Sequence, residues 1–376
     1  MNPLLELGKQ GQSVWLDYMK WSLITSGELK RLIDNDGLKG LTSNPTIFQK
    51  AVESGQDYDD LFKEWAPKGA SAGDVFEVLA IRDIGDAART FRPVWEKTGH
   101  RDGYCSIEVT PTLAHDTKGT VAEAHRLWKK LGVPNVMVKI PGTVEGVPAI
   151  EQCVSEGLNI NVTLLFSQDA YVAVAEAYIR GLEKRAARGE SVSESASVAS
   201  FFVSRIDSLV EKTIAGREKT ASPQQKALFD DVQGKVAIAN AKQAYEKYKK
   251  LFSGPRWQAL ADKGAKTQRV LWASTGTKNP KYSDVLYIEE LIGPDTVNTI
   301  PPATLDAFRD HGKVRRTLDQ DVDQADAVMR KLEQSGISIK QVTDQLVEDG
   351  VKSFSVSFAD LISAVGTKLK GGGGRK

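Results

Sequence analysis

The stretch from Ala114 to Ile140 constrains the fold most, because a helical run passes through one glycine and one proline straight into a short apolar strand. Apolar side chains recur at Val121, Ala124, Leu127, Trp128 and Leu131, a spacing that gathers them on one helix face. Gly132 then supplies a stop, and Pro134 prevents the helix from continuing. Val136-Met137-Val138-Lys139-Ile140 reads as a strand closed by Pro141-Gly142. Cys105-Ser106-Ile107, ending at Glu108 and Val109, reads as the strand before the helix. Strand, helix and strand of these lengths form a parallel unit with a right-handed crossover.

The same alternation recurs along the chain. Ser13–Leu16 ends at Asp17, and Leu38–Leu41 ends in Thr42-Ser43-Asn44-Pro45. Leu158–Thr163 follows the lysine-bearing strand, with Ser167 placed to cap a long helix running towards Arg188. Val198–Val203, Val270–Ala273 and the weaker Thr296–Thr299 complete a set of eight. Eight parallel strands with intervening helices predict an α/β chain folded as a (β/α)8 TIM barrel. The 376 residues suit one large barrel with additions. Residues 49–103 and 207–266 are charged and helix-friendly, and are expected to be helical insertions. From Ala303 the chain is expected to be wholly helical, including Gln320–Gln334 and Val351–Leu369. Residues 1–370 are thus read as a single catalytic domain and residues 371–376 as a flexible tail. There is no repeat at solenoid periods.

Nearly every expected strand ends in a residue able to do chemistry: Asp17, Asn44, Glu108, Lys139, Asn161 with Thr163, Ser200 with Arg205, and Ser274. The active site of such a barrel lies at those ends. Lys139 stands out because strands buried on both faces are otherwise continuously apolar. A buried lysine loses hydration, which favours the neutral amine that attacks a carbonyl. Taken alone, it is equally a strand-end lysine reaching solvent or an ion-paired one. Asp17 and Glu108 come from different strands and would flank the amine for separate proton transfers. Asp17 alone reads as well as a cap, whereas Glu108 is a poor capping residue. The loop Ala273-Ser274-Thr275-Gly276-Thr277-Lys278-Asn279 offers backbone N–H groups and a cation to an anion, or is an ordinary glycine turn.

Composition removes other classes. Charge is balanced, 50 Lys+Arg against 49 Asp+Glu, so neither nucleic acid nor a membrane surface is an expected partner. Cys105 and Cys153 are expected to pack rather than pair or bind metal. His100, His115, His125 and His311 are scattered without ligand spacing, so no metal is expected. Walker and GxGxxG motifs are missing, and no cofactor is expected. Without a signal-like start or a spanning apolar stretch, a cytoplasmic location is expected.

Five segments together resemble transaldolases: GLTSNPTIF (40–48), VMVKIPGT (136–143), NVTLLFS (161–167), SFFVSRID (200–207) and LWASTGTKNP (271–280). The resemblance runs in order from about Gln12 to Asp310 and fits best the longer bacterial type with a helical C-terminal extension. It implies a cofactor-free enzyme that transfers dihydroxyacetone from sedoheptulose 7-phosphate or fructose 6-phosphate to glyceraldehyde 3-phosphate or erythrose 4-phosphate. By the same resemblance Lys139 would form a Schiff base with the ketose C2 carbonyl. Asp17 would move the C4 hydroxyl proton, and Glu108 would act through a water held partly by Thr163. Asn44, Asn161 and Ser200 would bind the dihydroxyacetone hydroxyls. Arg205, Ser274 and Lys278 would hold phosphate. The loop departs from the shorter transaldolases, whose tighter loop contains arginine, so Lys278 would act as a point charge. Oligomeric state is expected to be monomer or homodimer.

Two rivals remain at this level. Simple Schiff-base aldolases resemble one another in carrying Gln where Glu108 stands and a tyrosine where Phe202 stands. A barrel that merely binds sugar phosphate would make Lys139, Glu108 and Asp17 incidental.

Overall fold

The computed structural model describes residues 2–372. Its eight strands are β1 (Gln12–Asp17), β2 (Gly40–Thr42), β3 (Tyr104–Glu108), β4 (Val136–Pro141), β5 (Ile160–Leu165), β6 (Ser197–Phe202), β7 (Arg269–Ala273) and β8 (Thr296–Ile300). They close a parallel barrel in sequence order, so the (β/α)8 expectation holds. Pairing runs on to β8 against β1, where Trp15 lies opposite Thr299.

Two crossover helices begin at the caps their sequence offers. Helix Thr117–Leu131 is capped by Asp116, which accepts from Gly119 N, and Gly132 ends it with φ of 60°. Helix Gln168–Ala187 starts at Ser167, whose side chain accepts from Ala170 N. Cys105 and Cys153 are buried free thiols packed in the core.

The barrel interior is filled rather than hollow. Alternation along β3 turns Tyr104, Ser106 and Glu108 to the same face. Trp15 lies beside Tyr104, ring centroids 6.5 Å apart, with its indole fully buried. Gly40 is what admits that indole, since a Cβ there would stand 2.4 Å from Trp15 Cδ2. Gly40→Ala is therefore expected to cost about 3 kcal/mol from overpacking, measured by denaturant unfolding, with part recovered when Trp15→Phe is added. Nearby, Arg269 donates to Asp102 at 2.9 Å and to Ser13 at 2.8 Å, and Trp15 Nε1 donates to the same carboxylate at 3.2 Å. Burial works against the Asp102 charge, but Arg269 holds its carboxyl below the ordinary range.

Several boundaries differ from the sequence reading. β2 starts at Gly40 rather than Leu38, and β5 at Ile160 rather than Leu158. Asn159 is a connector: its amide donates to Pro134 and Val136 carbonyls and its Oδ1 accepts from Ala196 N, tying three strand starts together. The C-terminal region is not wholly helical. Helix Pro302–His311 stops at Gly312, and the following segment docks back through Thr317 and Leu318 N–H groups on the Ile292 carbonyl. Helix Val322–Gln334 precedes a final helix, Ile339–Gly372, which contains the expected Val351–Leu369. Of the tail expected over 371–376, residues 373–376 lie outside the described residues. The stretch 49–103 contains helices Asp59–Trp65 and Ala72–Lys97, and 207–266 contains Pro223–Val232, Val236–Leu251 and Pro255–Ala261.

Candidate active site

Strand register sets the chemistry side by side. Glu108 of β3 pairs with Lys139 of β4, and Lys139 pairs with Asn161 of β5. Lys139 is 4% exposed. Its Nζ donates to the Ser43 carbonyl at 3.0 Å and reaches Glu108 Oε2 at 3.4 Å. The amine therefore points into the barrel, not out along the strand end. Ser43 is itself fixed, its hydroxyl donating to the Ser106 carbonyl at 2.8 Å.

The two carboxyls sit in different surroundings. Burial raises the pKa of Glu108, against the opposing charge and hydrogen bond of Lys139, while the Asp17 charge adds to the rise. Burial also raises Asp17, opposed by the Thr42 hydrogen bond and by the charges of Lys139 and Arg205. Thr42 donates to Asp17 Oδ1 at 2.7 Å and lies 2.6 Å from the Thr299 hydroxyl. Carboxyls that hold protons more tightly than usual are suited to exchange them near neutral pH.

Asn161 is locked by both ends of its amide. It donates to Ser106 Oγ at 3.0 Å and accepts from Ser200 Oγ at 2.7 Å. Thr163 is fully buried, yet its hydroxyl has no hydrogen-bond partner among the described residues. It sits where the β5–β6 register shifts, and the next residue, Leu164, has φ of 59°. A branched residue in left-handed conformation stores strain of the kind found at functional sites. Asn44 starts helix Pro45–Glu53, its Oδ1 accepting from Ile47 N at 3.0 Å, which leaves its NH2 as a donor.

A second group gathers where β6 and β7 end. Arg205 lies in the first turn of helix Ser204–Arg217, its guanidinium 5.2 Å from the Phe202 ring centroid. Burial lowers its pKa and Asp17 acts the other way, so the two charges sense each other. Phe202 stacks obliquely on Phe166 at 5.3 Å. Ser274, with φ of 56°, places its hydroxyl 3.0 Å from that of Ser204. Helix start, guanidinium and strained loop together favour an anion. Lys278 is not drawn into this group: it is exposed and enters no ion pair with the described residues.

Sequence reasoning missed Thr42, Ser106, Thr299 and the Ser43 carbonyl. Thr42 and Ser106 each lie two residues before a named position, Asn44 or Glu108, and that period-two spacing was the available signal.

With this geometry in view, the transaldolase/fructose-6-phosphate aldolase family matches residues 14–365. The chain is 48% identical to a protein named transaldolase from Trichodesmium erythraeum, covering 98% of each. It is 48% identical to transaldolase 2 of Nostoc punctiforme, again over 98% of each. It is 45% identical to transaldolase 1 of Streptomyces avermitilis, over 98% of this chain and 96% of that one.

Proposed function

The chain belongs to the transaldolase/fructose-6-phosphate aldolase family, and on that premise we propose that Lys139 is the Schiff-base lysine of its dihydroxyacetone transfer. The activity is that of a transaldolase: donor sedoheptulose 7-phosphate or fructose 6-phosphate, acceptor glyceraldehyde 3-phosphate or erythrose 4-phosphate, in the non-oxidative pentose phosphate pathway. The observation that carries the lysine's assignment is its amine, buried in the barrel within 3.4 Å of Glu108.

The amine attacks the ketose C2 carbonyl. Glu108, through a water shared with Thr163, supplies the proton that expels water from the carbinolamine. The partnerless Thr163 hydroxyl supports that role. Asp17 takes the C4 hydroxyl proton as the carbon–carbon bond breaks, and an aldose phosphate leaves. The enamine stays on Lys139 until an acceptor aldehyde arrives, and Asp17 returns the proton. Asn44, Asn161 and Ser200 bind the dihydroxyacetone hydroxyls, and Phe202 walls the site without offering a hydroxyl. Arg205 and the Ser274 loop hold phosphate, with exposed Lys278 acting on it only as a point charge from the loop's solvent side. We further infer that residues 1–370 act as one catalytic domain, as monomer or homodimer, in the cytoplasm. No helix among the described residues is long and apolar enough to cross a membrane.

Fructose 6-phosphate supplied with erythrose 4-phosphate should yield sedoheptulose 7-phosphate much faster than fructose 6-phosphate alone releases free dihydroxyacetone. Equal rates would mark a simple aldolase. Arg205→Ala should raise KM about 10- to 100-fold for phosphorylated donors, the worth of a charged hydrogen bond. It should leave KM for free fructose unchanged, and an equal effect on both would remove Arg205 from the phosphate site.

A further inference from the structure

The final helix, Ile339–Gly372, packs chiefly on helices Pro45–Glu53 and Ala72–Lys97, which follow β2, and also touches β5. At Gly350 it passes so near Leu164, in β5, that a Cβ would stand 2.9 Å from Leu164 Cδ2. It packs on the short 3-10 turn Pro111–Leu113 beyond β3. At Ser357 it accepts a 2.9 Å hydrogen bond from Thr46, just beyond β2. Seven residues of helix rise roughly 10 Å, so the segment reaches from β5 to the helix that follows β2.

The next residue, Phe358, meets Phe76 edge-on at 5.9 Å, and Phe76 meets Phe48 at 5.5 Å. Phe358 also walls a cleft of about 350 Å³. Asn44 and Glu108, the latter 5% exposed at its side chain, line the same cleft as exposed Ser71 and Asp74. At ~30 Å³ per molecule it has room for roughly ten waters. Glu108 thus has a side approach from solvent, with an aromatic wall contributed by the C-terminal extension.

We propose that Phe358 determines specificity by narrowing this approach, and so sets how the enamine on Lys139 divides between transfer and hydrolysis. The inference rests on the Schiff-base reading of Lys139. Hydrolysis needs a proton at the nucleophilic enamine carbon, the one Asp17 took from the C4 hydroxyl, relayed by water. Its arrival regenerates the Schiff base. One water then adds to C2, giving its proton to Glu108. The nitrogen takes that proton, and the C2 hydroxyl gives its own proton to Glu108 as its electron pair forms the carbonyl. The C–N pair goes to nitrogen, releasing dihydroxyacetone and free Lys139. Water addition at C2 also ends the transfer branch, so the two branches divide at enamine protonation. Narrowing the cleft limits the water that carries that proton and leaves the aldehyde route at the barrel mouth.

The test compares free dihydroxyacetone released from fructose 6-phosphate alone with sedoheptulose 7-phosphate formed when erythrose 4-phosphate is present. Phe358→Ala should raise the ratio of release to transfer about tenfold, and Phe358→Leu should raise it by less. A structural loss would lower both rates together and leave the ratio unmoved. If Phe358→Ala does not melt cooperatively, Phe358→Leu decides alone. A ratio within about twofold of the parent in a folded variant overturns the proposal. If the parent itself traps no adduct with borohydride, the Lys139 reading falls and takes this inference with it. A trapping parent with unmoved variants overturns this inference alone.

Discussion

Lys139→Met is expected to lower transfer by a factor on the order of 10⁴ or more, while the barrel still folds. Methionine keeps the apolar stem packed in β4 but has no amine to attack the carbonyl. The stability of this variant carries a distinct pH signature. In the parent, Glu108 already holds its proton more tightly than an ordinary carboxyl because it is buried, and Lys139 opposes that rise. Without the cation the folded-state pKa of Glu108 climbs further. A carboxyl raised on folding contributes stability that is full below its unfolded value, about 4.3, and is lost as pH rises through the folded value. The melting temperature of Lys139→Met should therefore fall more steeply than the parent's as pH rises above about 4. Adding Glu108→Gln should remove the excess slope. Loss of cooperative melting at every pH would instead mark Lys139 as chiefly structural.

Asp17→Asn is expected to slow transfer about 10²- to 10⁴-fold, the usual worth of a positioned proton acceptor. Schiff-base formation should survive, since Asp17 is assigned to carbon–carbon cleavage and not to the carbonyl. The donor should still be captured by borohydride, and the trapped fraction should rise because the adduct no longer turns over. An equal loss of trapping and transfer would place Asp17 in the carbonyl step. The amide oxygen can still accept from Thr42, so geometry is preserved. Asp17 is raised by burial, so ionising it costs stability as pH climbs from about 3.9 through its folded value. The variant should therefore gain on the parent as pH rises, as thermal melts would record.

Much of this site could be read from sequence because parallel strands buried on both faces seldom carry a charge. One charge inside Val136–Ile140, or a carboxylate closing Cys105–Ile107, stands out against that background. The (β/α)8 closure followed from eight such runs. What stayed hidden has physical reasons. Leu158-Asn159 looks like strand, yet Asn159 spends its side chain joining three strand starts. Thr42, Ser106 and Thr299 are ordinary strand residues, and only register reveals that they orient Asp17 and Asn161. The early turns of the final helix hold Thr343 and Gly350, weak helix formers. Packing of Val342 and Leu346 on the core overrides that weakness. Lys278 was chosen as a cation after β7, but sequence could not say that its side chain faces solvent.

Borohydride reduction during incubation with fructose 6-phosphate, followed by peptide mass spectrometry, tests the assignment of Lys139 most directly. One dihydroxyacetone-derived adduct on the peptide containing Lys139, missing from Lys139→Met, is the expected result. An adduct on another lysine, or unimpaired transfer with no adduct at all, would contradict it.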